Sequence, residues 1–169
     1  LVAGFELFKN FIAINERKNG LTQIHIMNTQ NKESHFLPFD EPTYVAGIGS
    51  NPEYNTDMLR FNYTSLTTPN SVYDYNMVTK DKKRMKQQEV LGGFDAQQYA
   101  TERIFATAKD GVQIPISIVF KKGFIKDGSS PLLLYAYGSY GISMDASFSS
   151  VRISLLNRGF AFAIAHIRG

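Results

Sequence analysis

Leu132-Leu133-Leu134-Tyr135-Ala136-Tyr137 and Phe160-Ala161-Phe162-Ala163-Ile164-Ala165 are two unbroken apolar runs of strand length. A strand with one face in water alternates, so continuous runs predict strands covered on both faces. Between them Phe148, Val151, Leu155 and Leu156 recur at helical spacing. Arg158 falls in the last turn, and Gly159 stands where a helix cap belongs. Strand, helix and strand in this order predict a βαβ unit whose strands run parallel. Just upstream, Arg103–Ala108 and Val112–Phe120 predict a hairpin across Asp110-Gly111, with Val112, Ile114, Ile116, Ile118 and Phe120 on one face. Pro115 has no N–H to offer a neighbour and predicts an edge position for the second of these strands. The final third of the chain reads as the opening of an α/β sheet.

Residues 1–95 are written in another style. Phe11-Ile12-Ala13-Ile14 and Leu21–Met27 flank Lys18-Asn19-Gly20, and Asn-Gly is the strongest two-residue hairpin signal because both residues tolerate positive φ. Leu59, Phe61 and Tyr63 oppose Arg60, Asn62 and Thr64, while Tyr73, Tyr75 and Met77 oppose Asp74 and Asn76. Period-two alternation predicts antiparallel strands with one face on a core. Pro38, Pro42, Pro52 and Pro69 punctuate the links. Strands at this spacing fit a sandwich or propeller blades, and pattern alone does not choose. Two domains are expected, residues 1–95 and residues 96–169, with the change of style after Gly92-Gly93.

The 169 residues are 43% hydrophobic and 13% aromatic, the composition of a folded protein rather than a disordered one. No apolar run is long enough for a membrane span, so a soluble chain with no membrane partner is expected. The absence of cysteine excludes disulfides, a thiolate nucleophile and cysteine-ligated metals. It fits a reducing compartment, so a cytoplasmic location is expected, with the periplasm left open. The net charge of +3 falls within Lys80–Glu89, where five basic residues meet two acidic ones. With no nucleic-acid module beside it, this cluster reads as a solvated turn or strand edge. A start at Leu1 without Met and a finish just after an apolar run lead us to expect a piece of a longer protein.

Open α/β sheets bind ligands beyond the carboxyl ends of their strands. The chain leaving the first apolar run reads Tyr137-Gly138-Ser139-Tyr140-Gly141. It is either an aromatic turn packed on the sheet or a place where a tyrosine hydroxyl donates to a developing oxyanion. Ser139 lacks the first glycine of a Gly-x-Ser-x-Gly elbow and reads as a turn residue. His25 and His35 are expected at the surface. His166 ends a buried strand near the edge of this region, where a histidine without a sequence partner is usually structural. No histidine pair, carboxylate cluster or glycine-rich loop points to a metal, cofactor or nucleotide. Residues alone supply no complete catalytic constellation.

Three stretches together resemble the prolyl oligopeptidase family of serine peptidases, and within it the oligopeptidase B branch. They are Ala106-Thr107-Ala108-Lys109-Asp110-Gly111-Val112 with Ile114-Pro115, then Pro131 through Tyr137-Gly138-Ser139-Tyr140-Gly141, then Ser154-Leu155-Leu156-Asn157-Arg158-Gly159-Phe160 running to His166-Ile167-Arg168-Gly169. Arg17–Thr22 and Ser65–Pro69 are similar to the last propeller blades of the same proteins. The resemblance implies closing blades of a β-propeller over residues 1–95, then the first strands of an α/β-hydrolase domain over 96–169. It also implies a serine endopeptidase that cuts short peptides, after Arg or Lys in this branch, with no cofactor. By resemblance, Tyr137 is the oxyanion-hole tyrosine and Tyr140 lines the primary specificity pocket. Ala136 replaces the commoner glycine. The Ser, Asp and His of the triad are not in this chain, so it is expected to be inactive by itself. Two alternatives stay open: a prolyl-specific member of the family, and a non-catalytic β-rich binding or scaffold module. A chain cut this way would expose strand edges and is expected to self-associate.

Overall fold

The computed structural model describes residues 1–168. Three four-stranded sheets follow one another along the chain. The first is an antiparallel meander of β1 (Val2–Leu7), β2 (Phe11–Lys18), β3 (Leu21–Asn28) and β4 (Ser34–Phe36). Lys18 pairs with Leu21 across Asn19 and Gly20, whose φ of 52° and 77° are both positive as a tight hairpin turn demands.

The second meander is β5 (Tyr44–Ile48), β6 (Met58–Ser65), β7 (Ser71–Asn76) and β8 (Lys82–Gln87). Alternation is clean on β6, where Leu59, Phe61 and Tyr63 are buried and Arg60 and Asn62 exposed. Leu59, Phe61 and Tyr75 meet Ile24 and Ile26 of the first sheet in one core. As an edge strand, β5 would leave backbone donors unpaired, and the first sheet supplies their acceptors. Ala46 N–H donates to Thr22 Oγ1 (2.9 Å) and Ile48 N–H to Asn15 Oδ1 (3.2 Å). Glu41 fixes the link after β6 by accepting four hydroxyl bonds: Ser65 and Thr67 on one oxygen, Tyr63 and Thr68 on the other. Burial and that carboxylate together push the Tyr63 phenol far above its ordinary pKa.

The third sheet comprises β9 (Tyr99–Thr107), β10 (Gln113–Lys121), β11 (Leu132–Ala136) and β12 (Ala161–Ala165), in the order β11-β12-β10-β9. β11 and β12 run parallel, Leu132 opposite Ala161 and Ala136 opposite Ala165; the other pairs are antiparallel. Helix α1 (Ser150–Asn157) lies between the parallel strands in sequence, as the spacing predicted. Phe160 N–H reaches back to Leu155 O and Gly159 N–H to Leu156 O, a Schellman ending on Gly159. Leu156, Val119, Phe162 and Ile164 form the second core, which Leu66 joins from the end of β6.

Several expectations need correction. β12 is buried throughout, but every residue of β11 is exposed, because β11 is the sheet's edge and not a strand covered on both faces. β10 is an inner strand despite Pro115. The Pro115 carbonyl accepts from His166 N–H (2.9 Å), and its missing N–H would face the point where β12 ends. The face of β10 that packs on α1 carries Ser117 and Val119, while Ile114, Ile116 and Ile118 are half-buried on the other. Val151 points outward at 80% exposure, so Leu156, packed against Ile153, forms the buried stripe of α1. The basic cluster, by contrast, falls as expected on a strand edge: it is β8, a charged edge strand of the kind that discourages unwanted pairing. No helix among the described residues is long and apolar enough to cross a membrane.

Candidate active site

Because β11 and β12 are parallel neighbours, their carboxyl ends open side by side, and two loops leave from there. After Ala136 comes Tyr137-Gly138-Ser139-Tyr140-Gly141, where Ser139–Gly141 forms a short 3₁₀ turn. After Ala165 come His166, Ile167 and Arg168. The loops touch. A Cβ on Gly138 would stand 2.5 Å from Arg168 O and 3.1 Å from Ile167 Cδ1, so only glycine lets the backbones approach this closely.

Tyr137 is 38% exposed and leaves β11 directly, so a rigid strand end aims it. Tyr140 is 94% exposed and holds φ 59°, ψ 27°, a left-handed conformation that costs a non-glycine residue about 1–2 kcal/mol. Strain of that kind marks a turn over-determined by its surroundings and is common beside functional groups. The two tyrosines singled out by sequence therefore sit on one turn, at the strand ends where an α/β sheet binds ligands. The Tyr140 ring stands away from the sheet, while most of Tyr137 is covered. Arg168 Nη1 pairs with Asp110 Oδ2 at 2.8 Å, and this guanidinium, helped by Val112 N–H, holds the Asp110 carboxyl below the usual carboxylate range.

Behind the turn lies a polar network that sequence reasoning missed. His166 is 7% exposed. Its Nδ1 lies 2.7 Å from Met144 O, which only accepts, so Nδ1 carries the proton and Nε2 receives the Ser117 hydroxyl at 2.6 Å. Ser117 Oγ in turn accepts from Thr43 Oγ1 at 2.5 Å, and both hydroxyl residues are fully buried. Burial pushes the His166 pKa below its ordinary value, against the pull of the Met144 carbonyl, and keeps the ring neutral. His166 is thus a satisfied structural histidine near the site's edge. A lone serine and a lone histidine in otherwise apolar strands were the available signal. His25 and His35 are only half-exposed: His25 stacks on Phe36 (4.4 Å between centroids) and pairs with Glu16, while His35 bonds the Tyr75 hydroxyl at 2.9 Å. No group of three or more His, Asp or Glu side chains gathers among the described residues as a metal site would require.

Known proteins share this arrangement. The family model described as the prolyl oligopeptidase N-terminal β-propeller domain matches residues 1–88. Dipeptidyl aminopeptidase BI of Pseudoxanthomonas mexicana is 46% identical over 99% of this chain and 23% of its own length. Protease 2 of Moraxella lacunata is 35% identical over 96% of this chain and 23% of its own. Oligopeptidase B from Leishmania major superimposes with a TM-score of 0.87 at 36% identity, over 99% of this chain and 25% of that one. The chain thus spans about a quarter of the length of these relatives. They are peptidases, and with its two antiparallel meanders matched by the propeller model, the chain belongs to the prolyl oligopeptidase family.

Proposed function

We propose that the protein carrying this chain is a serine endopeptidase that cuts short peptides after Arg or Lys. On this reading residues 1–95 are closing propeller blades and residues 96–169 open an α/β-hydrolase catalytic domain. The observation that carries it is the Tyr137–Gly141 turn, standing at the paired ends of β11 and β12 in a chain that superimposes on oligopeptidase B.

When a serine attacks the scissile carbonyl, the oxygen gains charge, and the Tyr137 hydroxyl donates to it. The exposed Tyr140 ring offers a face on which a guanidinium or ammonium stacks. The serine, histidine and aspartate of the triad come from elsewhere in the full-length protein, since these 169 residues contain no Gly-x-Ser-x-Gly. By itself the chain does not hydrolyse peptides, and the chemistry needs no cofactor. A cytoplasmic location accords with the absence of cysteine.

One observation favours a second reading. The 46% identity to dipeptidyl aminopeptidase BI exceeds the 35% to Protease 2, which fits an enzyme that releases dipeptides from free amino termini. The full-length protein separates these readings on three amides: N-blocked arginyl, N-blocked prolyl, and a dipeptidyl amide with a free amine. The first reading expects the blocked arginyl amide to be cut fastest. Preference for the free-amine substrate supports the second, preference for prolyl marks the prolyl-specific branch, and no cleavage of any leaves a binding or scaffold module.

A further inference from the structure

The Tyr137 turn does not stand on the third sheet alone. Its far end, Met144, is held by the Nδ1 proton of His166. Its near end, Gly138, lies against the Arg168 carbonyl and the Ile167 side chain, which follow His166 in the chain. The segment His166–Arg168 therefore braces both ends of the loop, the imidazole at Met144 and the two residues after it at Gly138. That imidazole is oriented by Ser117 on β10, and Ser117 by Thr43, which immediately precedes β5 of the second sheet. Two further ties run the same way: Arg17 of β2 pairs with Asp145 at 2.8 Å, and Phe148 N–H donates to Thr64 Oγ1 of β6 at 3.1 Å.

We propose that Thr43, Ser117 and His166 form a positioning relay, through which the second meander sets where the Tyr137 hydroxyl stands. The inference rests on the reading of Tyr137 as oxyanion donor. The relay's directionality follows from its end: Met144 O accepts only, so each hydroxyl has one consistent role, Thr43 donating to Ser117 and Ser117 to His166. Every member is buried, so loss of one hydroxyl leaves the next group short of one partner and loosens the hold on the imidazole. An oxyanion donor displaced by a fraction of an ångström loses rate and not affinity for the ground-state substrate.

The test uses the full-length protein with Thr43→Val, which keeps the shape and removes the hydroxyl, and Ser117→Ala as a second variant. We expect kcat to fall about tenfold at unchanged KM. Thr43→Ser should restore kcat to within about twofold, because the donor returns. Amide hydrogen exchange should quicken in residues 137–145 and 166–168 but not in β2 and β3. Added to Tyr137→Phe, Thr43→Val should cause no further loss, because its effect passes through the hydroxyl already removed. Wild-type kcat and exchange in both variants would overturn the relay, as would a loss that multiplies with that of Tyr137→Phe. If Tyr137→Phe itself leaves kcat unchanged while exchange still quickens, the oxyanion reading fails and the positioning stands.

Discussion

The second and third sheets each have four strands and each ends on an exposed one, yet the two edges are chemical opposites. β8 presents Lys82, Lys83, Arg84 and Lys86 to solvent. β11 presents Leu132, Leu133, Leu134 and Tyr135, between 37% and 59% exposed. A charged edge repels a further strand, whereas an apolar one gains by acquiring a neighbour. The two meanders share one core, and Thr22 and Asn15 of the first cap backbone donors on β5 of the second. The third sheet buries β12 throughout, with Phe162 and Ile164 in the core that α1 and Leu66 share, but leaves β11 exposed. The candidate site grows from the end of that open strand, and residues of the first two sheets brace it.

The largest effect is expected at the second core. Leu156 is fully buried beneath the third sheet, and Leu156→Ala should cost about 2–5 kcal/mol in urea unfolding. A loss under about 1 kcal/mol would mean that α1 does not seal that face. The edge contrast is sharpened by association: the chain alone should sediment as more than a monomer at tens of micromolar, and Leu134→Lys should return it to monomer. A wild-type monomer would contradict the apolar-edge reading.

Smaller effects come from titration. The folded-state pKa of His166 is depressed by burial, so the unfolded chain binds its proton more readily. Stability is therefore fully present above the ordinary histidine range, near pH 6.5, and falls as the pH drops from there toward the folded-state value. His166→Gln should flatten that slope in urea midpoints taken across the range. Asp74 titrates with the same sign in a lower window. The hydrogen bonds from Arg60, at 2.7 and 2.8 Å, lower its carboxyl pKa, so its contribution is present above about pH 4 and lost as pH falls through the folded-state value. With Arg60 half-exposed, Asp74→Asn should cost no more than about 1 kcal/mol at neutral pH.

The parts legible in sequence were those encoded locally. Asn19-Gly20 specified its hairpin through backbone conformation, and the two apolar runs with α1 between them specified a parallel pair. The turn that carries Tyr137 and Tyr140 was legible because a turn at a strand end is a local feature. The short strands β4 and β5 were not, since neighbouring strands rather than their own periodicity hold them in a sheet. Burial of β11 was misread because apolar sequence reports what a strand prefers, not whether anything covers it. The relay was out of reach of pattern: Thr43 and Ser117 are 74 residues apart, Ser117 and His166 another 49.

If the turn leaving β11 holds an oxyanion donor, Tyr137→Phe in the full-length protein removes it. We expect kcat on a blocked arginyl amide to fall about 10²–10³-fold with KM little changed, the loss of one donor. An unchanged kcat would contradict the oxyanion reading and return Tyr137 to an ordinary exposed aromatic.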